Sequence, residues 1–179
     1  MNRLTVWIRN LFTKGENMDS ILASNVLRPN LSDFSSIVCF RAVVTGIEDA
    51  LGVRAATIAL VSAGRTRGRQ LAKDLGLSNS TDNLAEIAEL MNTALGIQGT
   101  RLCIIDKVEP AGEGRILVYC RETVCSSGEA PGSDRNLSYT LGAVQGVLEE
   151  VTGKRLRGKQ VASVLRGGTH DVVELTPLV

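Results

Sequence analysis

Leu141-Gly142-Ala143-Val144-Gln145-Gly146-Val147-Leu148-Glu149-Glu150-Val151-Thr152-Gly153 is the stretch on which the fold turns. Leu137, Leu141, Val144, Leu148 and Val151 recur at three- and four-residue steps, so the spacing predicts a helix over about 137–151, closed by Gly153. Gly142 and Gly146 lie four residues apart and therefore share one face of that helix. Glycine inside a helix costs roughly 1 kcal/mol against alanine, which implies that something approaches this face closely. Gly64 and Gly68 make a second pair of the same kind far upstream. Close packing of helix on helix or on sheet is the default explanation for both pairs, and a ligand lying along the groove is the sharper one.

On either side of this helix the apolar period drops to two. Strands are predicted over about Leu102–Val108 and Arg115–Thr123, joined through Glu109-Pro110-Ala111-Gly112-Glu113-Gly114, and a loop follows over Ser126–Asn136. Beyond the helix, strands over about Lys159–Leu165 and Asp171–Thr176 flank the turn Arg166-Gly167-Gly168-Thr169. Upstream, Phe34, Ile37, Val38, Val44, Ile47 and Leu51 predict a long helix from about Ser32 to Gly52, with Arg41 on its apolar stripe. Ala55–Ala63, running on to Leu75-Gly76, reads as a second helix, although Thr57–Val61 alone would pass as a strand. In a third, Asn83 and Glu86 are spaced as a capping pair, with Leu84, Ile87, Ala88, Met91 and Leu95 on the stripe and Gly96 as the stop. Helices, hairpin, helix, hairpin is the order of an α+β domain, an antiparallel sheet of about four strands covered by helices, over residues 31–179. Residues 1–30 stand apart. Leu4, Trp7, Ile8, Leu11 and Phe12 with Arg3, Arg9 and Lys14 make a short basic amphipathic helix suited to a membrane surface, a membrane-protein complex or a packing partner, and a polar linker follows.

Composition narrows the function. The chain has 179 residues, 44% apolar and 22% charged, with a net charge of +1. A single domain of this size buries roughly 70% of its unfolded surface without disulfides or metal. Aromatic residues are only 3%, too few for a base-stacking platform, so nucleic acid is not an expected partner. Charge is uneven nonetheless: Arg41, Arg54, Arg65, Arg67 and Arg69 outnumber the acids of 41–70, whereas 71–150 is acidic. Cys39, Cys103, Cys120 and Cys125 lack zinc-type spacing, and His170 is the single histidine, so no metal centre and a reduced, cytoplasmic location are expected, peripheral if residues 1–14 lie on a membrane. No phosphate-loop or nucleophile-elbow pattern occurs.

Gly64-x-x-x-Gly68 followed by Leu71, the central hairpin, and the 141–153 stretch before a terminal hairpin resemble the vinyl-reductase-type small-molecule-binding domain. That family is similar in fold to the core subunits of the TRAPP tethering complex and to haem nitric-oxide-binding sensors. The resemblance covers about residues 35–178. It implies hydrocarbon binding or, from a branch linked to chlorophyll synthesis, an apolar or tetrapyrrole-related ligand. Family members often carry Glu-x-x-Cys on the first terminal strand and a further Cys beyond the turn; here stand Gln160-Val161-Ala162-Ser163 and Gly167-Gly168-Thr169-His170-Asp171, so that thiol or metal site is gone. No helical histidine is available for haem.

The leading expectation is therefore a non-enzymatic binding domain whose pocket candidates are Phe40, Arg41, Tyr119, Cys120 and Tyr139, with Arg41 meeting either a ligand carboxylate or an acid of 71–150. An assembly protein, as at a photosynthetic membrane, is the alternative from another class. A vinyl reductase would need a hydride donor, for which the sequence has no dinucleotide fingerprint. Two glycine-faced helices plus the N-terminal amphipathic segment offer apolar surface beyond one domain's needs, from which a homodimer is expected.

Overall fold

A computed structural model describes residues 35–178; the amphipathic segment and linker expected over 1–30 lie outside the described residues. Helix α1 (Ile37–Leu51) starts at Ser36, whose side chain accepts from the Val38 amide, and ends at Gly52 with φ +76°. Helix α2 (Val53–Asp74) follows directly. Helix α3 (Leu84–Leu95) is capped by Asn83, whose side chain accepts from the Ala85 amide. The reciprocal half of the expected capping pair is absent: Glu86 instead accepts the Thr81 hydroxyl, and Thr81 Oγ1 takes the Asn83 amide. Strands β1 (Ile104–Pro110) and β2 (Ile116–Arg121) form the central hairpin, helix α4 (Tyr139–Thr152) comes next, and β3 (Leu156–Ala162) and β4 (Asp171–Pro177) close the chain.

The four strands make one antiparallel sheet in the order β1-β2-β4-β3. After β2 the chain leaves the sheet through 122–138 and α4, returns at the far edge as β3, and then fills the gap with β4. One face carries Val108, Val118, Val173 and Leu175 into the core, while the other carries Lys107, Glu109, Arg121 and Glu174. The terminal hairpin differs from its expected form. Strand β3 begins at Leu156, ahead of Lys159, and Val164–Arg166 is a 3-10 turn capped by Ser163 that leads to Gly167 in the left-handed region.

Helix α4 is the centre of the core, buried without a break from Thr140 to Glu149. Its glycine face meets that of α2. A methyl at Gly64 would overlap the Tyr139 carbonyl and at Gly68 the Ala143 carbonyl, while one at Gly142 would strike Val61 O and one at Gly146 Arg65 O. Backbone thus lies on backbone, and the two glycine faces cover each other. On its other side α4 sets Leu141 and Gln145 against Gly158 of β3, where a Cβ would sit 3.0 Å from each.

Glu149, buried at the end of this crossing, ties three elements together. Its carboxylate accepts from Arg65 Nε (2.8 Å) and Nη2 (2.6 Å), from Arg69 Nε (2.9 Å), from Gln145 Nε2 (3.3 Å) and from the Leu156 amide (2.8 Å). Burial pushes this carboxyl up, but the bonds from Arg65, Leu156 and Gln145 outweigh it and hold the group below the ordinary glutamate range.

Helix α1 differs most from the sequence expectation. Of its predicted core stripe Phe34 lies outside the described residues, and among the rest only Val44 is buried; Val38 and Leu51 are 69% and 60% exposed. The apolar pattern marked a helix, but no layer of the described residues covers that much of it.

Candidate functional site: a small cavity beneath α1

The inner side of α1 carries Phe40, Arg41, Val44 and Thr45 over the 122–138 loop, and with Val124, Cys125, Glu129, Arg135, Asn136 and Ser138 they line a partly open cavity of about 10 Å³. That is room for about one water. The ring of Phe40 stands edge-on to Tyr139 at the start of α4, their centroids 5.3 Å apart. Burial raises the Tyr139 phenol, with Arg67 pulling the other way.

An alternating row of charges clasps α1 to the loop. Arg41 Nη2 donates to Glu129 Oε1 at 2.9 Å, Glu129 lies 3.1 Å from Arg135 Nε, and Arg135 Nη1 donates to both oxygens of Glu48 at 2.8 Å. Burial pushes the Glu129 carboxyl up, yet Arg41 and Arg135 together hold it below its usual value. Arg135 Nε is buried against the Glu129 carboxylate, with which it forms an ion pair. Gly128, with φ +72°, makes the clasp possible, since a Cβ there would run into the Arg41 guanidinium.

The loop itself is fixed from behind by Asp171, which is fully buried. Asp171 Oδ2 accepts from Thr123 Oγ1 and Ser126 Oγ, each at 2.7 Å, and Oδ1 from the Val164 amide at 3.2 Å and Gln160 Nε2 at 3.3 Å. Gln160 Oε1 in turn accepts the Leu137 amide at 2.7 Å. Gln160 therefore belongs to a hydrogen-bonded hub around Asp171, while Ser163 accepts the Leu165 amide at the start of the 3-10 turn. Among the described residues no group of three His, Cys, Asp or Glu side chains could hold a metal ion.

The five pocket candidates do not converge. Phe40 and Arg41 line the cavity and Tyr139 touches Phe40. Arg41 is not buried in the core as its place on the stripe implied; its side chain is 36% exposed and paired with Glu129. Tyr119 and Cys120 are neighbours on one strand and so point to opposite faces of the sheet. Cys120 is fully buried beside Cys103, whose thiol is pushed well up by its hydrogen bond with Cys120 and by burial. Tyr119 faces outward, donating to Glu109, with Lys107 Nζ 3.9 Å from its ring centroid and His170 edge-on at 5.7 Å. Strand alternation was available in the sequence to separate that pair. Nothing local marked Glu129 or Arg135, which acquire their place only when the loop folds under α1.

A four-stranded antiparallel sheet covered by helices defines the class: an α+β fold like that of TRAPP subunits and vinyl-reductase-family proteins. No family model and no curated protein matches the chain. Solved structures with the same fold include the phenol-responsive sensory domain of the transcription activator PoxR, determined with phenol (TM-score 0.63, 16% identity, covering 80% of this chain and 75% of that one). Another is a trafficking protein particle complex subunit 3 from Naegleria fowleri covalently bound to palmitic acid (TM-score 0.56, 15% identity, 80% and 93% covered). A third is a vinyl-4-reductase family protein from Methanocaldococcus jannaschii (TM-score 0.51, 14% identity, 100% and 98% covered). At these identities the likeness is one of fold. No helix among the described residues is long and apolar enough to cross a membrane.

Proposed function

We propose that this chain is a non-enzymatic receptor for a small ring-bearing molecule with one polar group, taken up beneath α1, and that its working unit is a pair of identical chains. The observation that carries the reading is the make-up of the cavity wall: Phe40, Val44 and Val124 supply apolar surface, and Arg41, Glu129 and Arg135 set a row of charged groups beside it. A ligand hydroxyl would bond to this charged row while its ring lies on the apolar wall. Admitting a single ring takes a cavity of roughly 150 Å³. Helix α1 yields that space by lifting from the loop, because only Val44 is buried and the charged clasp is partly open to water. The phenol-bound sensory domain of the same fold supports the ligand class.

A tetrapyrrole, which the family resemblance also admits, would demand several times that volume and is disfavoured. An assembly subunit is the second reading, favoured by the exposed apolar residues of α1 and α2. Calorimetric titration with phenol, palmitate and a porphyrin separates them. Heat is expected with phenol alone. Arg41→Met should keep the fold, since Glu129 retains Arg135, and weaken phenol by about tenfold through loss of the clasp that recloses the site. No heat from any of the three compounds would overturn the receptor reading.

A further inference from the structure

Strand β3 closes the far edge of the sheet: β4 is its neighbour on one side, and on the other it has no strand among the described residues. An edge of this kind leaves backbone N–H and C=O groups open to a further strand. The bond from the Leu178 amide to the Arg155 carbonyl (2.9 Å) carries the ladder one residue ahead of Leu156. Leu156 is buried, Gly158 lies against Leu141 and Gln145, and Gln160 reaches the Leu137 amide, so these three point inward. Strand alternation therefore sets Arg155, Arg157 and Lys159 on the outer face, about 6.8 Å apart. All three are exposed, and none has an ion pair or a side-chain hydrogen bond among the described residues.

Charge on the rest of this face says what fits there. On β1, β2 and β4 each outer acid has its own base: Glu109 lies 2.9 Å from Lys107, Asp106 pairs with Arg121, and Glu174 lies 3.1 Å from Arg115. No acid stands between Gly153 and Thr169, and Glu174, which faces Lys159 in the ladder, is taken by Arg115. The unmatched charge is thus a line of cations one strand wide. The β3 of a second copy would set like charges against it, which is destabilising. A flat anionic membrane would meet Glu109 and Glu174 on the same face as the cations. An extended peptide fits. Laid along the edge, it bonds to the open backbone and repeats its side chains at the same interval, so that acids at alternate positions each meet one cation.

We propose that β3 is the docking edge for an extended acidic peptide segment of another protein, which adds as a further strand with Asp or Glu at alternate positions opposite Arg155, Arg157 and Lys159. The proposal goes beyond the receptor reading and rests on no ligand beneath α1, so failure of phenol to bind would leave it standing. Fluorescence anisotropy of the full chain with a labelled Glu-Val-Glu-Val-Glu-Val peptide reads it directly, and a dissociation constant in the micromolar range is expected. The block-order peptide Glu-Glu-Glu-Val-Val-Val, of the same charge, should bind at least about tenfold more weakly, and so should the alternating peptide with its backbone amides N-methylated. Arg157→Glu should weaken the alternating peptide at least about tenfold by setting like charges opposite. A peptide with lysine in place of the central acid should bind that variant to within about threefold of the original pair. Arg157 is exposed, so folding is kept, and circular dichroism checks that. No binding at roughly 1 mM overturns the proposal, as does equal binding of the block-order or N-methylated peptide. Flotation with phosphatidylglycerol vesicles that Arg157→Glu abolishes, with no peptide bound, overturns it in favour of a membrane.

Discussion

Replacing glycine by alanine should have opposite effects at two helical positions of this chain. At Gly46, on the outer side of α1, a Cβ would meet nothing within 4 Å. Gly46→Ala therefore gains the ordinary helical preference, about 1 kcal/mol. Gly146→Ala gains the same preference but places a methyl onto the Arg65 carbonyl oxygen and 3.0 Å from both Arg65 C and Arg69 N. Carbon contacts settle near 3.5–4.0 Å, so α2 and α4 must part by about 1 Å. Overpacking typically costs about 1–3 kcal/mol, and rigid backbone on both sides of the contact puts this case at or above the upper end. The net loss is about 2 kcal/mol, so the two variants should differ by about 3 kcal/mol. At about 2–4 °C per kcal/mol for a domain of this size, their melting midpoints should lie about 10 °C apart. Urea unfolding followed by far-ultraviolet circular dichroism measures this, at chain concentrations low enough that the midpoint no longer depends on concentration and self-association does not enter. A Gly146→Ala variant as stable as wild type would refute the backbone-on-backbone account of the crossing.

Two further outcomes are expected. The Glu149 carboxyl titrates below its ordinary value in the folded chain, so the unfolded chain binds its proton first as pH falls; the stabilisation it brings is present above about pH 4.5 and lost as pH drops through the folded value. Urea midpoints should hold level from neutral pH to about 5 and then decline, and Glu149→Gln should flatten that decline. Thiol reactivity should split by position: Cys39, which is exposed, should react with an aromatic disulfide reagent at once, while buried Cys103, Cys120 and Cys125 should wait for unfolding. Prompt reaction of all four would mean that the sheet and loop open far more readily than their packing implies.

Helices were legible wherever their signals were local. Asn83, Gly96 and Gly153 mark ends through their own backbone and side-chain chemistry, and the sequence reading places them correctly. Strand β3 was not, because its inward positions after Leu156 are Gly158 and Gln160, one yielding space to α4 and the other bonding to Asp171 and Leu137. Neither is apolar, so the period of two falls silent where the strand begins. On α1 the pattern gives a helix but not which side is covered. Glu149 reads as one more acid near a helix end; its burial depends on Arg65 and Arg69, which no local pattern links to it. The candidate site was legible in part: Phe40, Arg41 and Tyr139 come together, whereas Glu129, Arg135 and the Asp171 hub emerge only from tertiary structure.

The grip between α2 and α4 also governs when this chain can fold. Arg65 and Glu149 are 84 residues apart in sequence, and everything α2 needs in order to be covered lies on an element made late. During synthesis α1, α2 and α3 leave the ribosome with a strip of bare glycine backbone and with Arg41, Arg65 and Arg69 ahead of the acids they pair with. Closing so long a loop precedes any gain from the contacts it brings, which makes folding slow relative to a bundle of neighbouring helices. Arg65 and Arg69 therefore stay in water, without their buried acid, until residue 149 has emerged.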